Sequence, residues 1–196
     1  MSRRQSVETK VEQYEKAEFG FWLYLMTDII LFASLFATYM ILRPNANGGP
    51  AAGDLLDPKF ALLETILLLT SSFTCGIAVL ALRYKHVRLS IGMLVATLAL
   101  GAGFLGLELY EFGELVHQGY IWSQSAFLSA FFVLVATHGL HILLGLIWGS
   151  VMLWYVLKKG STANSVRKLT LFSLFWHFLD LVWIFIFTIV YLGARL

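Results

Sequence analysis

Apolar residues run along this chain in five long blocks, at about 20–42, 60–82, 89–112, 127–157 and 169–193, with short polar interruptions between them. Each block reaches the roughly 20 apolar residues that an α-helix needs to cross a bilayer. The runs are continuous rather than alternating, which predicts helices and not a β-barrel. The fourth block makes a helix of roughly 45 Å, which must tilt or project beyond the hydrocarbon. The expected fold is therefore all-α, a polytopic membrane protein of five transmembrane helices. Residues 1–19 form a polar tail in which Glu alternates with Lys and Arg. That pattern fits a short helix at the membrane surface and not a signal peptide. The chain thus divides into a tail, 1–19, and a five-helix domain, 20–196. Asn45 to Pro50 carries a turn signal, and no internal repeat supports a transporter built from inverted halves.

Composition agrees with this reading and narrows it. Of 196 residues, 59% are hydrophobic and 13% charged, with mean hydropathy +0.77. A soluble domain is nearer 45–50% apolar and 25% charged, so a soluble enzyme and a disordered tail are both excluded. A single cysteine, Cys75, rules out an internal disulfide, a thiolate zinc site and an iron–sulfur cluster. A net charge of +2, scattered along the chain, is no footprint for nucleic acid. The basic residues are more informative. Eleven lie in the tail (Arg3, Arg4, Lys10, Lys16), the second interruption (Arg83, Lys85, Arg88) and the fourth (Lys158, Lys159, Arg167, Lys168). Only Arg43, Lys59 and Arg195 lie on the other side. This asymmetry predicts a cytoplasmic N-terminus and a periplasmic C-terminus.

Ionisable side chains inside the hydrocarbon cost about 2.5–3.5 kcal/mol each on the insertion scale, so each one requires a reason. Asp28, His177 and Asp180 are expected at similar depth, and His177 and Asp180 share a helix face at spacing three. They are candidates for a polar contact or proton-handling site, with Asp180 accepting from the imidazole, or for interhelical hydrogen bonding alone. His138 and His141 lie near the middle of the fourth block and can face a metal or haem, but no carboxylate accompanies them as in di-metal bundles. Hydrogen bonding within the bundle is the plainer role. Glu64, Glu108 and Glu111, with Glu114, gather toward the outer side. They form either a solvated helix end or a pairing surface for basic residues of a partner. Gly101, Gly103 and Gly106 match a dinucleotide fingerprint, but they lie mid-span with no strand before them. Like Gly145 and Gly149, they are read as faces for close helix packing, within the chain or with a partner. Trp22, Trp122 and Trp154 fall near span ends as interface anchors. Trp176, Trp183 and Phe187 are expected on the Asp180 face, packed against protein.

Trp176-His-Phe-Leu-Asp-Leu-Val-Trp183 together with His138-Gly-Leu-His141 resembles subunit III of the haem–copper terminal oxidases. The segment Gly20 to Asp28 and the stretch Glu108 to Glu111 fit the same family, so the resemblance covers nearly all of the chain after the tail. The five spans, the short tail and the Phe-Gly-Phe-Trp entry are most similar to the branch serving bacterial cytochrome bo-type ubiquinol oxidases. The five spans would match the last five of the seven in the longer cytochrome c oxidase form, and Asp28 stands where many members carry Glu. The resemblance implies a non-catalytic accessory subunit in the bacterial inner membrane. Such a subunit stabilises subunit I and supports proton uptake, beside subunits II and IV and phospholipids. No catalytic centre, metal or cofactor is expected in this chain; haem, copper and quinol belong to the partner subunits. Three intramembrane histidines are also too few for a haem–copper ligand set. The alternatives are subunit III of a cytochrome c oxidase, a small proton or ion carrier using Asp28, His177 and Asp180, and a b-type cytochrome with haem between the fourth and fifth helices.

Overall fold

The computed structural model describes residues 2–44 and 58–193, with side chains from Glu15 onward. The Asn45–Pro50 turn, the side chains of Arg3, Arg4 and Lys10, and Arg195 lie outside the described residues. Five helices carry the chain: α1 (Ser2–Leu42), α2 (Pro58–Arg83), α3 (Val87–His117), α4 (Ala126–Lys159) and α5 (Ala163–Ile186), with a π-helical end at Phe187–Leu192. All five are long and apolar enough to cross a membrane.

The helices run longer than the apolar blocks. α1 is one uninterrupted helix from Ser2, about 60 Å long at 1.5 Å per residue, rather than a surface helix followed by a span. No proline interrupts Ser2–Leu42, so nothing breaks the hydrogen-bond ladder between tail and span. α3 continues past 112 to His117. α5 begins at Ala163, where Thr162 caps it by accepting from the Ser165 N–H at 3.1 Å. Ser125 caps α4 in the same way through the Leu128 N–H at 3.1 Å. Both caps use the hydroxyl preferred at that position.

The chain forms two compact units, Met1–Ser34 and Leu35–Leu196. In the second, α2 packs against α3 and α5, α3 against α4, and α4 against α5, closing a ring of four antiparallel helices. Its core is aromatic: Trp176, Trp183, Phe104, Phe131 and Phe172 are fully buried.

Glycine sets how closely the helices approach. A Cβ at Gly101 would meet the Trp176 ring at 2.7 Å, and one at Gly145 would meet it at 2.8 Å. At Gly149 it would meet Leu98 at 2.6 Å and Phe172 at 2.9 Å. These three sit where helices approach most closely. Gly103 and Gly106 make no such approach within the chain: nothing lies within 4 Å of either Cβ position, and both are exposed. They project away from the ring because positions 101, 104 and 108 of α3 already face it. Gly145→Ala is accordingly expected to lower stability by about 1–3 kcal/mol through overpacking. Gly103→Ala is expected to be neutral or to add about 0.5–1 kcal/mol through helix propensity. Thermal unfolding in one detergent compares them, and equal shifts would contradict this packing.

Candidate functional site

The interior of the four-helix ring is built on two tryptophans of α5. Trp176 Nε1–H donates to Ser71 Oγ on α2 at 3.0 Å, and Ser71 donates to the Thr97 carbonyl on α3 at 2.9 Å. Thr74 and Thr97 hydroxyls join them at 2.9 Å. Trp183 Nε1–H donates to Thr65 Oγ1 at 3.0 Å, and the Thr65 hydroxyl donates in turn to the Ala61 carbonyl at 2.7 Å. Both indoles are fully buried, and a buried indole N–H without an acceptor would be costly. Thr65, Ser71 and Thr97 therefore complete the site, although their small hydroxyls are inconspicuous in the sequence.

The histidine pair of α4 divides. His138 is fully buried, stacked on Trp183 with ring centroids 5.4 Å apart and met edge-on by Phe104 at 5.8 Å. Phe104 also meets Trp183 edge-on at 4.7 Å. His141 turns back on its own helix, with Nδ1 at 2.7 Å from the Thr137 carbonyl. A carbonyl only accepts, so Nδ1 carries the proton. The two imidazoles thus serve different neighbours instead of converging on one ligand. Among the described residues, no three His, Cys, Asp or Glu side chains come together where they could hold a metal.

His177 and Asp180 also diverge. Spacing three on a helix leaves about 60° between side chains, enough to place Asp180 inside and His177 outside. Asp180 faces Ser72 on α2, and its Oδ1 has no hydrogen-bond partner. The His177 Nε2 lies 4.0 Å from where a Cβ at Gly76 would stand. The expected imidazole–carboxyl bond is not formed. Asp28 lies in the first unit, where it is buried and takes a hydrogen bond from the Tyr24 hydroxyl one turn earlier.

The glutamates change most from the sequence reading. Glu64 and Glu108 are not a solvated helix end: they are 0% and 2% exposed, and neither oxygen of either carboxyl has a hydrogen-bond partner. Because α3 runs on to His117, Glu108 sits more than two turns inside it, and only Glu114 reaches the surface, paired with Gln118 at 2.8 Å. Glu111 lies between these extremes and accepts from the Tyr191 hydroxyl at 2.6 Å. Tyr191 belongs to the π-helical end of α5, a widened turn of the kind that often marks functional positions. Room for Glu108 comes from Gly139, between the two histidines: a Cβ there would stand 2.9 Å from Glu108 Oε1. The glycine of the His-Gly-Leu-His segment is thus the residue that admits the buried carboxyl. Gly139→Ala is expected to lower stability by about 1–3 kcal/mol. Combining it with Glu108→Ala is expected to recover about 0.5–3 kcal/mol, the range for contacting residues. Strict additivity in thermal unfolding would refute the contact.

Residues 7–194 match the family model described as cytochrome c oxidase subunit III. The chain is 49% identical to cytochrome bo(3) ubiquinol oxidase subunit 3 of Pseudomonas putida, covering 88% of this chain and 84% of that one. It is 47% identical to a cytochrome c oxidase subunit 3 from a Bacillus species, covering 88% and 84%. It is 46% identical to quinol oxidase subunit 3 of Bacillus subtilis, covering 88% and 85%. With five membrane-crossing helices, a ring sealed by tryptophan and histidine, and a match along almost its whole length, the chain belongs to the cytochrome c oxidase subunit III family.

Proposed function

We propose that this chain is the accessory, non-catalytic subunit of a proton-pumping respiratory oxidase that oxidises ubiquinol and reduces oxygen to water. It lies in the bacterial inner membrane, its 1–19 tail cytoplasmic and its C-terminus periplasmic, against the haem- and copper-bearing subunit I and beside subunits II and IV. One observation carries the non-catalytic part. The imidazole best placed for a ligand, His138, has its ring face covered by Trp183 and its edge by Phe104, so the ring interior is closed by packing. Redox chemistry then belongs to the partner subunits. The ubiquinol assignment is supported by the likeness to the Pseudomonas putida ubiquinol oxidase subunit, and a quinol donor more broadly by the likeness to the Bacillus subtilis quinol oxidase subunit. Cytochrome c remains the second reading for the donor, favoured by the 47% identical Bacillus relative.

The chain's own contribution is mechanical and acidic. The aromatic-cored ring of helices carries exposed apolar side chains, among them Val133, Leu140, Ile147 and Val151 of α4, that can meet lipid and other subunits. Asp28, held by Tyr24, is the acid that this reading assigns to proton uptake, and Asp180, with one oxygen unbonded, is the second candidate. A stand-alone proton carrier would use the same two acids with His177.

Purification in mild detergent is expected to bring a large haem-bearing subunit with this chain, while the separated chain gives no Soret band. A Soret band in the separated chain would favour a cytochrome, and recovery of the lone chain from cells making the oxidase would sink the accessory reading. Asp28→Asn is expected to leave the complex assembled but shorten its sustained turnover, followed as oxygen consumption with ubiquinol against reduced cytochrome c. Unchanged turnover would remove Asp28 from the proton path. Proton flux into liposomes carrying the separated chain, lost in Asp180→Asn, would instead support the carrier.

A further inference from the structure

Four carboxyl oxygens inside the ring are left without a donor. Glu64 of α2 and Glu108 of α3 are fully enclosed, and no oxygen of either has a hydrogen-bond partner. The hydroxyls nearby are already engaged. Thr65, beside Glu64, donates to the Ala61 carbonyl and takes the Trp183 N–H. Tyr191 donates to Glu111 Oε2 at 2.6 Å. On the α4 side Glu108 presses on Gly139, where a Cβ would stand 2.9 and 3.0 Å from its two oxygens. The backbone of α4 thus leaves room for this one carboxyl.

Glu64, Glu108, Glu111 and Tyr191 lie within electrostatic reach of one another. α4 adds His138 and His141 on either side of Gly139, the first stacked on Trp183 and the second turned to the Thr137 carbonyl. Of the cations at this end, Arg43 donates to the Gly193 carbonyl and Lys59 is exposed at the start of α2. A carboxylate enclosed without a donor is far more costly than a neutral acid, and two that feel each other add repulsion. Buried polar groups without a protein partner are normally met by ordered water. A protonated carboxyl both donates and accepts, so water between Glu64 and Glu108 can satisfy the two together when a proton is held there. A way to solvent also exists. Glu108, Glu111 and Glu114 follow one another on α3, each turned about 60° from the last, and pass from buried to half-buried to exposed.

We propose that Glu64 and Glu108 form one exchangeable proton-binding site, with enclosed water joining the two carboxyls and Glu111 linking them to the surface at Glu114. The site uses neither Asp28 nor Asp180, so it goes beyond the proton uptake assigned to those acids above.

Infrared difference spectra of the purified complex containing the full chain test this at neutral pH. Wild type minus Glu108→Gln is expected to show the carbonyl stretch of a protonated carboxyl, shifted on transfer to D2O, while every other carboxyl of the complex cancels. Glu64→Gln is expected to remove a like band, and each variant to displace the band of the other residue. Glu114→Gln is expected to remove none, and Glu111→Gln to keep the band but slow its shift in D2O. Both buried variants keep the side-chain volume and bring an amide donor, so their unfolding temperatures are expected to be unchanged or higher. If one fails to assemble, the other gives the same reading. Loss of assembly in both would mean that fixed charges hold the fold, and would overturn the proposal. So would the absence of a band, which means ionised carboxylates, or a band that never shifts in D2O, which means sealed structural acids. A band seen only after sodium and potassium are replaced by a bulky organic cation would mean a metal-cation site instead. An unaltered band of Glu64 in Glu108→Gln, or an unaltered exchange rate in Glu111→Gln, would also sink it. The bands belong to the carboxyls themselves, so their absence would leave the accessory role untouched.

Discussion

Trp176 is wedged between two helix backbones, and the four-helix ring is organised around that wedge. In a bilayer, lipid tails are as apolar as leucine, so the hydrophobic effect does little to draw one helix to another. Close packing and interhelical hydrogen bonds must do it. Gly101 and Gly145 bring α3 and α4 against the two sides of the indole. Ser71 takes its N–H and ties α5 to α2, and then α2 to α3 through the Thr97 carbonyl. One side chain of α5 thereby touches the other three helices of the ring.

Trp183 repeats the arrangement two turns further on, with Thr65 as its acceptor and His138 stacked on its face. Each indole presents a large apolar plate to the core and one donor to a hydroxyl, so neither indole N–H is left without an acceptor. The glutamates beside this core are different. Glu64 and Glu108 are enclosed with no hydrogen-bond partner on any oxygen, and Glu111 is anchored by Tyr191. Burying such groups is expensive in apolar surroundings. Their presence, next to a glycine whose Cβ would collide with Glu108, marks the end of the ring opposite the basic loops as chemically specialised.

The two ends of the ring are thus unlike. The loop end is cationic and free of acid; the other gathers carboxyls and a tyrosine. The acidic end lies among the buried polar residues that distinguish this subunit from a plain packing module. The helices between them, stiffened by aromatic contacts, hold these ends at a constant separation.

Much of this was legible in the residues themselves. Continuous apolar blocks require helices because a bilayer satisfies no backbone groups, and the spans followed from that. The Trp176–Trp183 and His138–His141 segments identified the family, because their residue types and spacing are distinctive. The sequence could also place residues on a common helix, but not decide which way that helix faces. Spacing three leaves about 60° between side chains, so it did not reveal that Asp180 turns inward while His177 turns out, or that Glu108 is enclosed while Glu114 is not. Nor could it separate Gly101, pressed by an indole, from Gly103 and Gly106, which face away. The sequence by itself determined the helices, their number and their kinship. Rotation of each helix about its own axis is set by the shapes of its neighbours, and only the tertiary structure decided which polar groups are buried and what they meet.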